Sequence, residues 1–207
     1  EYGSLGYVSF QQWNGDANVN TNANYNIWVA PGSSITNGAK GKAALVQSTN
    51  SLLSKSVDIN VARGATIKPG MKLYNINMRE NALTVTLWFK TDALNGKLFS
   101  KEGINAFGKS YRTIYCQLNN GRLQGPRVSG GTITPGKWHF VVLSASEQKV
   151  TLYLDGMQVA TGNGTKDIMT DALDFFTGCN GTVQAVQLFD RYLQLDEVKK
   201  LYQQTKQ

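Results

Sequence analysis

Asp155-Gly156 interrupts an otherwise apolar, β-branched and aromatic stretch, with Val150-Thr151-Leu152-Tyr153-Leu154 before it and Met157-Gln158-Val159-Ala160 after it. A two-residue break of this kind accepts positive φ and matches the right-handed twist of paired strands, so the spacing predicts a β-hairpin. Just upstream, Pro135-Gly136-Lys137 opens a third strand-like run, Trp138-His139-Phe140-Val141-Val142. The turn signal recurs at Asn119-Asn120-Gly121 and at Asn180-Gly181. The second half of the chain therefore reads as consecutive short antiparallel strands.

Periodicity supports the same class. Leu83, Val85, Leu87 and Phe89 alternate with Thr84, Thr86, Trp88 and Lys90, the period-two pattern of a strand with one face in a core. Val150, Leu152 and Leu154 alternate with Thr151 and Tyr153 in the same way. Only the end of the chain changes period. Val198, Leu201 and Tyr202 fall at i, i+3 and i+4, with Lys199, Lys200, Gln203 and Gln204 facing away, which predicts one short surface helix over Asp196 to Gln204. Asp196 and Glu197 occupy its first turn, where the helix dipole favours anions. Near the start, Tyr7 to Phe10 reads as the first strand, and the asparagine-rich stretch Asn14 to Asn26 as a long polar loop, since asparagine favours turns over strands.

The 207 residues contain 4 prolines and 21 glycines, and the glycines are spread through turn positions without forming a linker. All-β sandwiches often run to about 200–250 residues as one unit, so residues 1–207 read as a single domain.

In chain order, Leu83-Thr84-Val85-Thr86-Leu87-Trp88-Phe89-Lys90, Gly136-Lys137-Trp138-His139, Leu152-Tyr153-Leu154-Asp155-Gly156, Gly181-Thr182-Val183 and Leu188-Phe189-Asp190-Arg191-Tyr192-Leu193 lead to a helix near Tyr202. This series resembles the laminin-G-like domains of the concanavalin A-like lectin/glucanase family. Upstream, Gly41-Lys42-Ala43-Ala44-Leu45 looks like the first sheet strand of such domains. The resemblance implies an all-β fold, a two-sheet antiparallel jelly-roll sandwich with one short C-terminal helix. It also implies secretion or cell-surface display, possession of a structural role for Trp88 and Trp138, and attachment to other domains of a larger secreted protein. The fold hosts lectins, carbohydrate-binding modules, toxin binding domains and glycan-cleaving enzymes, so it leaves the activity to be argued from the residues.

Several absences narrow the field. No apolar run nears the roughly 20 residues of a spanning helix, and a chain opening at Glu1 reads as a mature or excised fragment. Cys116 and Cys179 fit either one disulfide or two buried thiols. Asn163-Gly164-Thr165 and Asn180-Gly181-Thr182 read as turns before they read as glycan acceptors. Glycosidases carry a carboxylate pair facing the cleft, about 5 Å apart in retaining enzymes. The glutamates here are Glu1, Glu80, Glu102, Glu147 and Glu197, with no Glu-x-Asp-x-x-Glu pattern among them. The single histidine, His139, has no nucleophile beside it in sequence and reads as structural. No hydrolase chemistry is expected, while a lyase built on Tyr and Arg stays open. Phosphate loops and zinc spacings are also missing. Related domains often hold structural calcium through an acidic residue after the last Gly-Thr; here Gln184 stands there, and the asparagine-rich loop offers only Asp16. Calcium prefers several carboxylates, so no metal or other cofactor is expected.

What remains is binding. The balance of 21 basic against 14 acidic residues gives +7, which favours acidic partners. The lysines form no basic stripe interleaved with aromatics, so neither nucleic acid nor membrane is expected as a partner. A sugar calls for an aromatic face and planar hydrogen-bonding forks. Tyr111, Thr113, Tyr115 and Gln117 alternate with Arg112, Ile114, Cys116 and Leu118; the first set is expected outside and Ile114, Cys116 and Leu118 in the core. Beyond the Asn119-Asn120-Gly121 turn, Arg122, Gln124 and Arg127 return beside them. The candidate ligand-binding residues are therefore Tyr111, Tyr115, Arg122, Gln124 and Arg127, aided by Trp28. Trp28 belongs to a second aromatic group with Trp13 and Tyr25. The leading reading is a noncatalytic carbohydrate-binding module for a polysaccharide or glycan of acidic character. The alternatives are an adhesion or receptor-binding domain with a protein partner and, third, a glycan-active enzyme.

Overall fold

The computed structural model describes residues 4–7, 19–20, 26–29, 34–37, 55–59, 69–74, 81–104, 110–166, 168 and 172–206. The strands are β1 (Ser4–Tyr7), β2 (Val19–Asn20), β3 (Asn26–Val29), β4 (Ser34–Asn37), β5 (Lys55–Ile59), β6 (Pro69–Tyr74), β7 (Ala82–Lys90), β8 (Gly96–Ile104), β9 (Ser110–Asn119), β10 (Arg122–Gly125), β11 (Val128–Thr132), β12 (Trp138–Ser146), β13 (Lys149–Leu154), β14 (Met157–Asn163), β15 (Ala172–Thr177) and β16 (Gly181–Phe189). One helix, α1 (Leu195–Thr205), follows.

These strands make two antiparallel sheets of eight strands each among the described residues. Sheet I runs β14-β13-β12-β7-β16-β5-β4, with β1 also on β16, and sheet II runs β11-β10-β9-β8-β15-β6-β3-β2. The chain is an all-β jelly-roll sandwich. Both sheets draw strands from the two ends of the sequence, and β1 pairs with β16.

The predicted hairpin at Asp155-Gly156 is present. Asp155 has φ 52° and Gly156 φ 82°, the positive pair of a tight hairpin turn. A Cβ on Gly156 would also lie 2.5 Å from the Tyr202 ring, so only glycine lets α1 lie against this turn. Asn120 (φ 49°) and Gly121 (φ 78°) form the equivalent turn between β9 and β10. Asn180-Gly181 behaves differently. It joins β15 of sheet II to β16 of sheet I and so arches across the sandwich; it makes no hairpin. Glycine is needed at 181 because a Cβ there would sit 2.4 Å from the Phe176 ring.

The core between the sheets takes Leu83, Val85, Leu87 and Phe89 from β7, Val141 and Leu143 from β12, and Val150 and Leu152 from β13. Sheet II answers with Phe99, Ile114, Cys116, Leu118, Leu173 and Phe175. On one side the edge strands β11 and β14 almost touch: a Cβ on Gly130 would fall 2.1 Å from the Val159 carbonyl oxygen. The missing side chain closes that edge.

The expectation of one buried face on β7 needs correction, because both its faces are buried. On the outer side of sheet I a second cluster collects Trp88, Phe140, Val142, Tyr153, Phe189 and Leu193 under Val198 and Leu201 of α1. The helix covers what alternation alone would leave wet. Beside it runs a cross-strand line of buried hydroxyls. Thr84 Oγ1 donates to the Arg191 carbonyl (2.8 Å) and accepts from Leu193 N–H (3.1 Å), while Thr151 Oγ1 meets the Tyr192 hydroxyl at 2.5 Å. These bonds hold the segment leading into α1 on the sheet.

Further details bear on the expected limits of the elements. The first strand is Ser4–Tyr7, with Val8 to Phe10 outside the described residues, and the asparagine-rich stretch contains the two-residue strand β2. The helix exceeds its expected limits by one residue at each end. Cys116 and Cys179 are free, buried thiols.

Candidate functional site

The outer face of sheet II gathers most of the residues singled out for binding. On β9, Ile114, Cys116 and Leu118 enter the core, so Tyr115 and Gln117 turn to the opposite face, where both are half-buried. β10 lies alongside with Gln124 opposite Gln117 and Arg122 opposite Asn119. Gln117 Nε2 donates to Gln124 Oε1 at 2.9 Å. Arg122 is exposed and donates through Nε to Ser129 Oγ (3.0 Å) and through Nη2 to the Ser129 carbonyl (3.3 Å). These bonds fix the guanidinium plane and leave its outer edge to solvent.

Arg127 stands apart from this group. It sits at φ 60° in the turn after β10, which swings its side chain to the closed edge, where Nη1 donates to the Gly164 carbonyl at 3.4 Å. Tyr111 is paired with Gly103, but a register shift between Lys101 and Glu102 interrupts the alternation before it is reached. The side chains of Tyr111 and Trp28 lie outside the described residues, as do Trp13 and Tyr25 entirely. By register, Trp28 is opposite Lys72.

Residues that no motif announced complete the face. Tyr115 pairs with Ser100, Ser100 with Asp174, and Asp174 with Lys72. Directly opposed residues share a face, and their chain neighbours Phe99, Leu173 and Phe175 point into the core. Lys72 Nζ lies 3.4 Å from Asp174 Oδ1, with side chains 34% and 29% exposed. Lys97 is opposite Gln117, one row along. The available signal was a single charge between apolar residues, Leu173-Asp174-Phe175 and Met71-Lys72-Leu73; it gains meaning only when the strands are aligned.

His139 is a packed group. Its Nε2 accepts from Thr134 N–H (2.9 Å), and Nδ1 donates to Asp155 Oδ2 (2.8 Å). Asp155 Oδ1 accepts from Phe140 N–H (2.8 Å). A His–Asp pair with its outer nitrogen already hydrogen-bonded has no lone pair left for a nucleophile. Among the described residues no group of three or more His, Cys, Asp or Glu converges, and Asp16 of the asparagine-rich stretch lies outside them. Gln184, where the resemblance implies an acid, is opposite Trp88 in the β7–β16 pairing.

Known proteins match this architecture. A family model described as the concanavalin A-like lectin/glucanases superfamily matches residues 65–199. No curated protein sequence matches. Among solved structures, the binding domain of Paraclostridial Mosquitocidal Protein 1 superposes with a TM-score of 0.63 at 13% identity, over 97% of this chain and 52% of that one. The binding domain of botulinum neurotoxin DC in complex with SialylT gives 0.62 at 10% identity, over 99% of this chain and 52% of that one. The Trypanosoma rangeli sialidase in complex with 2,3-difluorosialic acid gives 0.60 at 17% identity, over 97% of this chain and 33% of that enzyme. The chain thus spans about half of the toxin binding domains it matches (52%), and at these identities the likeness is one of fold.

Proposed function

We propose, from the premise that this chain belongs to the concanavalin A-like lectin/glucanases superfamily, that it is a noncatalytic glycan-binding module that takes an acidic glycan on the outer face of sheet II. The observation that carries the reading is the set Tyr115, Gln117, Gln124 and Arg122, which two paired strands present side by side. Tyrosine supplies a surface for the axial C–H groups of a sugar ring, the amides its hydroxyl partners, and the arginine fork a partner for a carboxylate or sulfate. Tyr111 and Trp28, on the neighbouring stretches of β9 and β3, are proposed as further contacts, whereas Arg127, turned to the closed edge, is assigned none. The net charge of +7 favours anionic partners, and a toxin domain of this fold in complex with SialylT agrees with the ligand class. Secretion or cell-surface display, as one unit of a larger protein, is part of the same proposal.

A receptor-binding role toward a protein is the second reading, favoured by the likeness to toxin binding domains. It calls for an apolar patch. The large exposed apolar side chains among the described residues are Leu94, between β7 and β8, and Met157, at the start of β14.

A glycan array with the purified protein, followed by calorimetry at low and high salt, tests the proposal. Binding that weakens with salt, drops on Tyr115→Ala and loses much of its salt dependence in Arg122→Ala is expected, with Arg127→Ala close to the parent, since screening shortens to about 8 Å at physiological ionic strength. An array without hits overturns it. Turnover of a bound glycan would move the reading to the enzyme class.

A further inference from the structure

Arg122 leaves its own register row. Its direct partner across the β10–β11 ladder is Thr132, yet its guanidinium is held by Ser129, the residue opposite Gln124. The head group is thereby carried from the row of Asn119 and Thr132 into the row of Ser129, Gln124 and Gln117.

The cause is a β-bulge. Between the pairs Arg122–Thr132 and Gln124–Ser129, β10 has Leu123 alone while β11 has Gly130 and Gly131. A bulge interrupts the ladder and re-aims the side chains around it. The closed edge of the sandwich imposes it here, since a Cβ on Gly131 would lie 3.1 Å from Val159 Cγ2 of β14 and its φ of 76° suits glycine. At the interruption Arg122 Nη2 donates to the Ser129 carbonyl (3.3 Å) and Nε to the Ser129 hydroxyl (3.0 Å).

These two bonds occupy one edge of the guanidinium, the side shared by Nε and Nη2. Nη1 and Nη2 keep further N–H donors at the outer end. Among the described residues no carboxylate pairs with Arg122, and both of its acceptors on Ser129 are uncharged, so the exposed guanidinium keeps its charge for a ligand. Gln124 is fixed in the row that the head group joins. Its Oε1 accepts from Gln117 Nε2 at 2.9 Å, which leaves its own NH2 group as a donor.

We infer that Ser129 is the positioning residue of an anion subsite at the β10–β11 margin of sheet II. There the outer end of the Arg122 fork takes two oxygens of one sugar carboxylate or sulfate, and the Gln124 amide donates beside it. This rests on the glycan-binding reading above and adds the place of the acidic group and the residue that aims the fork at it. An arginine contributing charge alone needs no such hold. A two-point contact does, because both N–H vectors must meet one anion, and a side chain already tied in place loses less freedom on binding. Lysine at this position would keep the charge and lose the second point.

The test is calorimetry with 3′-sialyllactose, 3′-sulfolactose and lactose, which share a neutral core and carry a carboxylate, a sulfate and no acidic group. The proteins are the intact chain, Ser129→Ala, Ser129→Thr, Arg122→Lys and the Ser129→Ala, Arg122→Lys double variant. The parent is expected to bind an anionic probe more tightly than lactose, and the tighter of the two distinguishes carboxylate from sulfate. Ser129→Ala should lower that affinity by about fivefold and Arg122→Lys by about tenfold, the scale of a hydrogen bond to a charged group. Ser129→Thr keeps the hydroxyl and should match the parent. In the Arg122→Lys background Ser129→Ala should have no further effect, because the fork it aims is gone. A serine that merely braced β11 would lower all three affinities alike and in both backgrounds, and that result overturns the inference, as does a Ser129→Ala variant that binds like the parent. Without ligand, nuclear magnetic resonance should show the Arg122 Nε–H exchanging with solvent more slowly in the parent and Ser129→Thr than in Ser129→Ala; equal exchange in all three would show that the serine holds nothing. Array hits with neither anionic probe bound above lactose overturn the subsite and leave the glycan reading standing, whereas an array without hits removes both.

Discussion

Trp88 Nε1 donates a hydrogen bond to Thr205 Oγ1 over 2.9 Å, and the same threonine hydroxyl donates to the Leu201 carbonyl at 2.7 Å. The bond joins the central strand β7 to the last turn of α1, over an aromatic group in which Trp88, Phe140 and Tyr202 lie with ring centroids 5.4–5.9 Å apart. Thr205→Val keeps the shape and removes the acceptor, leaving a buried indole N–H unsatisfied at a cost of about 1–3 kcal/mol. Trp88→Ala empties the cluster and costs about 3–5 kcal/mol. Urea unfolding at constant slope measures both; a Thr205→Val variant as stable as the parent would show that the bond contributes nothing.

The Asp155 carboxylate accepts from the Phe140 N–H and from His139 Nδ1 while its own backbone occupies φ 52°. Asp155→Asn tolerates that φ and retains one acceptor oxygen. Asp155→Ala loses both acceptors and strains the backbone, by about 1–3 kcal/mol. Thermal melting should therefore rank parent above Asp155→Asn above Asp155→Ala, with the Nδ1–H tautomer of His139 visible in nitrogen shifts of the parent. A melt of Asp155→Ala equal to that of Asp155→Asn would contradict the account.

Glu197 reports on the helix start. Burial alone would raise its pKa, but hydrogen bonds from Arg191 and from the Gln194 N–H, with the Arg191 charge, more than offset this and hold it below the ordinary glutamate value of 4.5. A carboxylate with a depressed folded pKa stabilises the protein above its unfolded pKa, and that stabilisation fades as pH falls through the folded value. The stability difference between parent and Glu197→Gln should thus be constant from neutral pH to about pH 5 and shrink below about pH 4. The group is 37% exposed, so screening limits the difference to about 0.2–1 kcal/mol. A difference that grows on acidification would reverse the assignment.

How far the chain could be read in advance depended on how local the signal was. The Asp155-Gly156 and Asn120-Gly121 turns are dictated by residues that accept positive φ, and the inward set Ile114, Cys116 and Leu118 by simple alternation. The second core was hidden because Trp88 and Thr84 look like solvent-facing positions until α1 covers the tryptophan and the Arg191 to Leu193 segment the threonine, each more than a hundred residues along the chain. Asn180-Gly181 carries the same composition as a hairpin turn, yet which sheet the next strand joins is decided by long-range pairing. The Asp174–Lys72 pair was hidden for the same reason, since Lys72 of β6 meets Asp174 only through the sheet register. Arg127 followed Gln124 in sequence but left its face, because the turn after β10 requires a positive φ at that residue.

The two cysteines were compatible with either a disulfide or separate thiols, and the structure keeps them separate and buried. Removal from water disfavours a thiolate, which pushes the Cys116 thiol far up and the Cys179 thiol to about 12. The thiolate is the reactive form, so at pH 8 neither group should react with iodoacetamide at a rate above that of unfolding. Cys179 is further tied by a weak S–H hydrogen bond to the Lys97 carbonyl, 3.7 Å away. In denaturant without reductant, mass spectrometry should find both cysteines carbamidomethylated. Labelling that requires prior reduction would reveal a disulfide, and fast labelling of the native protein would mean that the core around Cys116 opens well below the global unfolding free energy.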